Sequence, residues 1–414
     1  MNTLARVKLL VSACAIALLS PNYQSAIAQR NAERPPESFA SWCDRKEELA
    51  PAPKHTVEVL LNQSGTQNCT EANDALTAAS HLSFSFDERV ESLAPVASLF
   101  NLESLTLGGG SVTDLSPIAG LSNLKSLYIY VDPTADILPI SNLTNLEELY
   151  LGSDRLTDIS PLSSLINLKQ LEISNNQIAD LSALANLKSL EYLSIINNCV
   201  TDIEPLSELT NLHTLFIASN HIENIEPLAG LTNLVELDIS QTGVSDLSPL
   251  ANLTQLEVLF STDNKVTDIT ALNNLNNLVM LGLSNGMDGG PARGDNAISD
   301  ISPLANMNRL EELYLADNKV VDVSPLTNLE NLRMLDLEYN LISQAQPLNA
   351  LSELESLFLT CNPITDADSL SDFVLAYVDP YNNPSDAKSA ERCRKESIQR
   401  IQDSYPEEIR EYLN

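Results

Sequence analysis

Residues 168–189 read LKQLEISNNQIADLSALANLKS, and this segment sets the pattern that decides the fold. Its first leucine recurs every 22 residues along the chain, except for one interval of 32 residues. A fixed period in this range predicts a repeat solenoid, in which each unit contributes one coil to a continuous core. The recurring leucines are Leu102, Leu124, Leu146, Leu168, Leu190, Leu212, Leu234, Leu256, Leu278, Leu310, Leu332 and Leu354.

Each unit divides into a strand and a turn. In the L-x-L part, the alternation of leucine with other residues predicts a strand whose leucines face inward. The following asparagine, Asn176 in this unit, falls where the strand ends, and its amide can bond backbone groups that a bend leaves unpaired. Ser-Pro or Glu-Pro pairs such as Ser160-Pro161 suggest a capped helical turn, and the preceding Asp158 recurs for a similar backbone reason. We therefore interpret the Asn, Asp and Pro columns as structural.

This spacing closely resembles the 22-residue leucine-rich repeats of the bacterial internalins. The resemblance covers about residues 90–364. It implies an α/β-type repeat solenoid: a curved horseshoe with a parallel sheet on the concave face, short 3-10 turns on the convex face and protein binding on the concave side. We predict a helical N-terminal cap at 29–80, about twelve full repeats at 81–364 and a C-terminal cap with a helix at 365–414.

The N-terminus has the features of an export signal. Arg6 and Lys8 precede an apolar run that is too short to span a bilayer, and 26–28 read AIA, a small-residue cleavage site. We predict a signal peptide at 1–28 and a secreted, periplasmic or cell-envelope protein. A lipid anchor on Cys14 is the alternative, because VSAC at 11–14 resembles a lipobox.

The chain is strongly acidic. Its net charge is −33, and removal of residues 1–28, which hold two bases and no acid, makes it −35. This charge argues against nucleic acid and anionic membrane surfaces as partners. It is compatible with a basic partner or simply with solubility.

The cysteines predict two staples, because an exported chain can keep disulfides. Cys43 and Cys69 flank a non-repeat helical segment in which Trp42 is a candidate core anchor, and we predict that they pair. Cys361 in the last coil is predicted to pair with Cys393 in the tail. Cys199 is then left as an exposed free thiol. In the first coil, Leu82, Phe84 and Phe86 are predicted to be buried.

No catalytic set is visible in the sequence. The histidines are scattered without metal-ligand spacing, and no glycine-rich phosphate loop precedes a helix; the histidines are His55, His81, His213 and His221. We therefore predict a non-catalytic protein without cofactor or metal, and no membrane insertion after signal cleavage.

The outward strand positions carry the functional prediction. Between the second and third apolar positions of the twelve units, six residues are aromatic, although aromatics make up 5% of the chain. Exposed rings are typical of interface hot spots, although aromatic residues also favour strands intrinsically. At the usual strand spacing the sheet is about 55 Å long, which is ample for a protein partner. The candidate ligand-binding residues are Tyr128, Tyr150, Tyr192, Phe216, Phe260, Tyr314, Phe358, Asp238, Asp336 and Glu172.

These residues favour a protein-binding or adhesion module whose partner has basic and apolar groups. The alternative is a structural envelope spacer without a specific ligand. Replacement of Phe216 and Phe260 by alanine distinguishes these two functions, because a binding module then loses its captured partner and a spacer does not.

The 32-residue interval contains an insertion, which we place at 285–295. It includes Arg293-Gly294-Asp295, a tripeptide that resembles an integrin-recognition motif. A coil accepts extra residues only at a surface turn, so we expect a loop at one rim of the sheet. A loop that contacts the partner and a neutral insertion both remain open.

Overall fold

The computed structural model describes residues 36–152, 155–285, 296–366, 370, 376–377 and 393. The predicted signal peptide at 1–28 and Cys14 lie outside the described residues. So do Arg293 and Asp295 and most of the predicted C-terminal cap.

In the described part of the chain, three α-helices precede the sheet: α1 (Phe39–Asp44), α2 (Pro51–Ser64) and α3 (Cys69–Ala78). The predicted disulfide between Cys43 and Cys69 is confirmed and joins α1 to α3, with 5.5 Å between the two Cα atoms. The prediction that Trp42 anchors this core is wrong. Trp42 is half-buried, with the guanidinium of Arg45 over its ring, whereas Phe39 is fully buried.

The strands that follow form a parallel sheet whose order is the order of the sequence. From β5 to β13 every strand has three residues, whereas β2 and β3 have eleven. The strands are β1 His81–Phe84, β2 Ser104–Asp114, β3 Ser126–Asp136, β4 Glu148–Gly152, β5 Gln170–Glu172, β6 Tyr192–Ser194, β7 Thr214–Phe216, β8 Glu236–Asp238, β9 Val258–Phe260, β10 Met280–Gly282, β11 Glu312–Tyr314, β12 Met334–Asp336, β13 Ser356–Phe358 and β14 Ala376–Tyr377.

Short 3-10 helices lie in the turns between strands. The Pro or Ala at the second position of each helix suits the start of a helical turn. In the coils these helices are Ser116–Ile118, Leu138–Asn142, Ser160–Ser164, Ser182–Leu184, Glu204–Leu206, Glu226–Leu228, Ser248–Asn252, Thr270–Asn274, Ser302–Leu304, Ser324–Asn328 and Gln346–Ala350. Together with the sheet they confirm the predicted leucine-rich-repeat solenoid.

The inward positions of the repeat form the core. In the coil that starts at Leu168, the side chains of Leu171, Ile173 and Ile178 are completely buried, and Leu184 is buried with them. Leu82 and Phe84 are buried in the first coil as predicted, but the prediction for Phe86 is wrong. Strand β1 ends at Phe84, so Phe86 starts a 3-10 turn and its side chain is 69% exposed.

The chain divides into two compact units after Asn211. The first unit holds α1 to α3 and strands β1 to β6. The second unit holds strands β7 to β14.

A buried asparagine closes the turn after most strands. Asn340 is 1% exposed, and its Oδ1 accepts a hydrogen bond from the Val320 N–H at 2.9 Å. Its Nδ2 donates to the carbonyls of Leu315 and Leu337 at 2.9 and 3.1 Å. The preceding Tyr339 has φ of 56°, so the left-handed bend and the amide occur together. The predicted role of the asparagine column is confirmed.

The aspartate column also has the predicted backbone role. Asp322 Oδ1 accepts a hydrogen bond from the Ser324 N–H at 2.8 Å, at the start of the next 3-10 helix. Ser324, however, is the first residue of that helix and makes no side-chain cap. The capping predicted for the serine of the Ser-Pro pair is therefore wrong, because the aspartate two residues earlier already satisfies the N–H.

The insertion begins one residue later than predicted. The N–H of Asn285 donates to the Ala316 carbonyl, as the N–H of the equivalent Asp317 does to Glu338 in the next coil. The Asn285 Oδ1 accepts a hydrogen bond from the Asn296 N–H at 2.7 Å, and the Asn285 Nδ2 donates to the Asn296 carbonyl at 2.9 Å. Asn285 therefore belongs to the coil, and the ten extra residues are 286–295.

The other cysteines give one confirmation and one correction. Cys361 and Cys393 form the predicted disulfide, and β14 pairs with β13, so the sheet continues past the predicted boundary at 364. Cys199 is disulfide-bonded and half-buried rather than an exposed free thiol. Cysteine spacing alone does not fix connectivity.

We expect the buried asparagine to contribute strongly to stability. Asn340→Ala leaves the buried Val320 N–H without its side-chain acceptor and removes one of the two amide donors to the Leu315 carbonyl, and we expect it to lower the free energy of unfolding by about 3 kcal/mol. Urea denaturation measures this. The matched control is Asn331→Ala in the same coil, because exposed Asn331 donates only one hydrogen bond, to the Asn308 carbonyl. Equal losses for the two variants would contradict the role of the buried amide.

Deletion of residues 286–295 should leave the fold intact. Joining Asn285 directly to Asn296 restores the 22-residue spacing of the other coils, and neither asparagine loses its contacts with the neighbouring coil. We expect a change in melting temperature of no more than about 2 °C, because surface insertions contribute little to stability. Thermal unfolding followed by circular dichroism tests this, and loss of the cooperative transition would show that the insertion is structural.

Candidate functional site

The predicted outward residues of the first unit stand side by side on adjacent strands. Tyr128 on β3 is in register with Tyr150 on β4, and Tyr150 with Glu172 on β5. The two tyrosines are 38% and 43% exposed. We call this row the first-unit column; it consists of Thr106, Tyr128, Tyr150, Glu172 and Ser194.

A carboxylate holds Tyr128 of this column in place. Oε2 of Glu148 accepts hydrogen bonds from the hydroxyl of Tyr128 at 2.5 Å and from that of Ser126 at 2.9 Å. The hydrogen bond to Glu148 is the main cause that raises the pKa of Tyr128 to about 12, followed by burial. Ionisation of the phenol would lose this bond and place two negative charges together.

Tyr192 and Glu172 meet at the other end of the first-unit column. Tyr192 is not in the column itself but two residues before Ser194 on β6. Its hydroxyl is 3.3 Å from Oε2 of Glu172, while Oε1 of Glu172 accepts from the Ser174 N–H. Ser194 is buried, with its hydroxyl 2.7 Å from that of Ser174.

The second unit continues the same position on its own strands. Its row, the second-unit column, consists of Phe216, Asp238, Phe260, Gly282, Tyr314, Asp336 and Phe358. The aromatic side chains of this row are half-buried. The Phe260 ring lies across Gly282, where an added Cβ would overlap the ring. Part of the burial of the rings therefore comes from neighbouring strands.

Burial raises the pKa of both aspartates of the second-unit column, and that of Asp336 reaches about 6. Hydrogen bonds from backbone N–H groups act in the opposite direction: Asp238 Oδ1 accepts from Ser240 at 2.9 Å, and Asp336 Oδ1 from Glu338 at 3.1 Å. The Tyr314 hydroxyl donates to Glu312 Oε2 at 2.6 Å, and its pKa is about 12, mainly through burial.

The structure thus brings the predicted candidates together within each unit, except Arg293 and Asp295, which lie outside the described residues. Within the described ranges, no group of histidines, cysteines and acids has the arrangement of a metal site.

A second polar row escaped the sequence analysis. At the position just before the strands of the first unit, glutamate and lysine alternate from one coil to the next. Lys125 forms an ion pair with Glu103 at 3.0 Å, and Lys169 forms one with Glu147 at 2.6 Å. Asn145 and its equivalents donate to carbonyls of the preceding coil. These residues line a groove of about 420 Å³. The sequence feature that predicts this row is the alternation of Glu and Lys at 22-residue intervals, which lies outside the strand positions.

Comparison with known proteins identifies the family. A family model described as "Leucine Rich repeats (2 copies)" matches residues 144–186, 166–208, 188–230, 210–252, 232–274 and 330–372. No curated protein sequence matches the chain significantly.

Among solved structures, an internalin (InlF) of Listeria monocytogenes is 34% identical, with a TM-score of 0.72 over 80% of this chain and 96% of that one. Two more distant structures share the fold alone. A leucine-rich-repeat protein of Leptospira interrogans is 19% identical, with a TM-score of 0.59 over 86% of this chain and 100% of that one. The functional domain of InlJ from Listeria monocytogenes is 18% identical, with a TM-score of 0.57 over 82% and 80%.

The chain belongs to the internalin-like family of leucine-rich-repeat proteins. Proteins with this fold generally mediate protein–protein interaction, and the homologues are typically non-catalytic.

The two high tyrosine pKa values should respond differently to removal of the neighbouring charge. We expect Glu148→Gln to lower the pKa of Tyr128 from about 12 toward its ordinary value of 10.0, because the hydrogen bond to this carboxylate is the main cause of the shift. Glu312→Gln should lower the pKa of Tyr314 less, because burial is the main cause there. Titration of tyrosines labelled at Cζ, followed by NMR, measures both. Equal shifts in the two variants would contradict this assignment.

Proposed function

We propose that the chain is an exported, non-catalytic protein-binding module in which the outward column of each unit serves as a recognition surface. The observation that carries this proposal is the register of the strands. It collects aromatic and acidic side chains from six separate coils of the second unit into one row, at a position that the core does not use. Partly exposed rings beside carboxylates suit a partner with apolar and basic groups.

Export is supported by the family and by the covalent structure. Internalin-like proteins are secreted or surface proteins, and the disulfides at both ends of the described chain suit an oxidising compartment. In the part of the chain that the structure describes, no helix combines the length and apolar character of a membrane span. A signal peptide at 1–28 fits this interpretation.

The tyrosines of the first unit support the same role. Tyr128, Tyr130 and Tyr150 are among the most exposed large apolar side chains of the described residues, and they lie on adjacent strands. Clustered exposed rings are costly in solution unless a partner covers them. Contacts of the 286–295 loop with the same partner are an open extension of the proposal.

The test is capture of partners from the native secretome and envelope by the full chain and by a Phe216→Ala, Phe260→Ala variant. We expect the double variant to lose at least tenfold in affinity, because truncated interface rings typically cost about 2 kcal/mol each. Its melting temperature should change little, because both rings are on the outward face and only half-buried.

The control for this test is Phe100→Ala. Phe100 is 47% exposed but lies outside both outward columns, in the turn between the 3-10 helix Ala94–Val96 and strand β2. Equal capture by the two variants, or no specific partner for the native chain, would favour a structural spacer instead.

A further inference from the structure

The second-unit column has an internal pattern that protein binding in general does not require. Asp238 lies between Phe216 and Phe260 on the adjacent strands β7 and β9. Asp336 lies between Tyr314 and Phe358 on β11 and β13. Each carboxylate is thus flanked on both sides by an aromatic residue at the usual strand spacing of about 4.8 Å. We call these two sets the aromatic–aspartate triads.

Among the residues that the structure describes, the aspartate of neither triad takes part in an ion pair. Each aspartate accepts a backbone hydrogen bond from the residue two positions later. Within the described ranges, the ion pairs of the second unit join Lys265 to Glu223, Arg309 to Glu257 and Arg333 to Glu355, and none includes a triad aspartate. A cation at such a site gains two interactions. The partly desolvated carboxylate attracts it by charge, and the aromatic rings on either side attract it by cation–π interaction.

The spacing of the triads defines the ligand further. Asp238 on β8 and Asp336 on β12 are four strands apart in the sheet order, which corresponds to about 19 Å. Six residues of an extended chain span about 20 Å. Strands β7 to β13 have only three residues each, so two outward positions per strand, about 7 Å apart, form the available surface. This width suits an extended chain better than a helix, whose diameter with side chains is about 10 Å.

We propose that the two aromatic–aspartate triads bind two basic side chains, six residues apart, of an extended segment of the partner protein. This proposal rests on the proposed function and gives the partner its chemistry. Arginine fits best, because its planar guanidinium stacks on rings and bonds a carboxylate at the same time. The residues between the two basic side chains then pass over strands β9 to β11.

Binding of this kind depends on pH. A basic side chain needs the ionised carboxylate, and burial has raised the pKa of Asp336 to about 6. The other groups around it are Glu312 and Tyr314 on β11 and Glu338 after β12, while β13 presents Ser356 and Phe358. Affinity is therefore full above pH 7 and falls as the pH drops through about 6, where protonation of Asp336 competes with the cation.

The experiment uses the full chain and two fluorescent nine-residue peptides of identical composition, built from Gly, Ser, Thr and two Arg. In one peptide the arginines are six positions apart, and in the other they are two positions apart. Fluorescence anisotropy at pH 7.5 should show at least tenfold tighter binding of the peptide with the wider spacing. Equal binding of the two peptides, or binding of neither, would overturn the proposal. This comparison needs only the native chain.

Variants locate the binding. Asp238→Asn and Asp336→Asn keep an acceptor for the backbone N–H and remove the charge, and each should weaken binding of the wider-spaced peptide about tenfold. The double variant should also lose the decrease in affinity between pH 7.5 and pH 5. The control is Glu330→Gln with Glu353→Gln, which makes the same change in net charge at two exposed positions outside the columns. It should change the affinity less than twofold; a loss equal to that of the aspartate variants would overturn the proposal.

Failure of this proposal is distinguishable from failure of the proposed function. If the native partner is lost on replacing Phe216 and Phe260 but is retained by the double aspartate variant, the binding function stands and the triads are not its cation sites.

Discussion

The buried amide that follows most strands is the interaction on which the structure depends. The chain must leave the strand within a few residues and still satisfy backbone groups that the bend removes from the sheet. In the coil of β12, Asn340 does this for groups of its own coil and of the preceding one, while Tyr339 takes a left-handed conformation. Because the same residue in the next unit, Asn362, bonds to Ile342 in the same way, one solution propagates along the stack.

The functional surface follows from this constraint. Turns of fixed geometry keep the strands short and in register, so that Leu313, Leu335 and Leu357 stack inside. The residue after each of these leucines must then stack outside, whatever its chemistry. Packing does not select these outward residues, so they can carry rings and carboxylates that a core would reject. The same register places Asp336 between two aromatic residues and raises its pKa.

Much of the fold could be predicted from the sequence, because the inward leucines and the asparagines repeat at positions that physical chemistry restricts. The two end disulfides were also predictable, since their cysteines lie in or next to the segments that depart from the repeat at either end. Some predictions were wrong at the end of the repeat pattern, and others at single residues inside a coil. Phe86 follows the last residue of β1, so strand alternation no longer applies. Cys199 has a disulfide that spacing could not reveal, and Asn285 resembled the insertion although it holds the coil together with Asn296.

The candidate site was only partly predictable. The outward residues follow from alternation, but the hydrogen bond from Tyr128 to Glu148 and the shift in the pKa of Asp336 depend on neighbours from other coils. The binding role of the columns and the domain boundaries at residues 28, 80 and 364 remain predictions.

The measurement that tests the central claim most directly is a proteolytic stability scan of all single substitutions in the full chain. The account predicts that polar substitutions at the inward leucines and at the buried asparagines lower the free energy of unfolding by about 2–4 kcal/mol. The same substitutions at the aromatic and aspartate positions of the second-unit column should change it by less than about 1 kcal/mol, as is usual for surface positions. If the outward rings proved as necessary for stability as the inward leucines, the aromatic row would serve the fold, and the account of a free recognition surface would be contradicted.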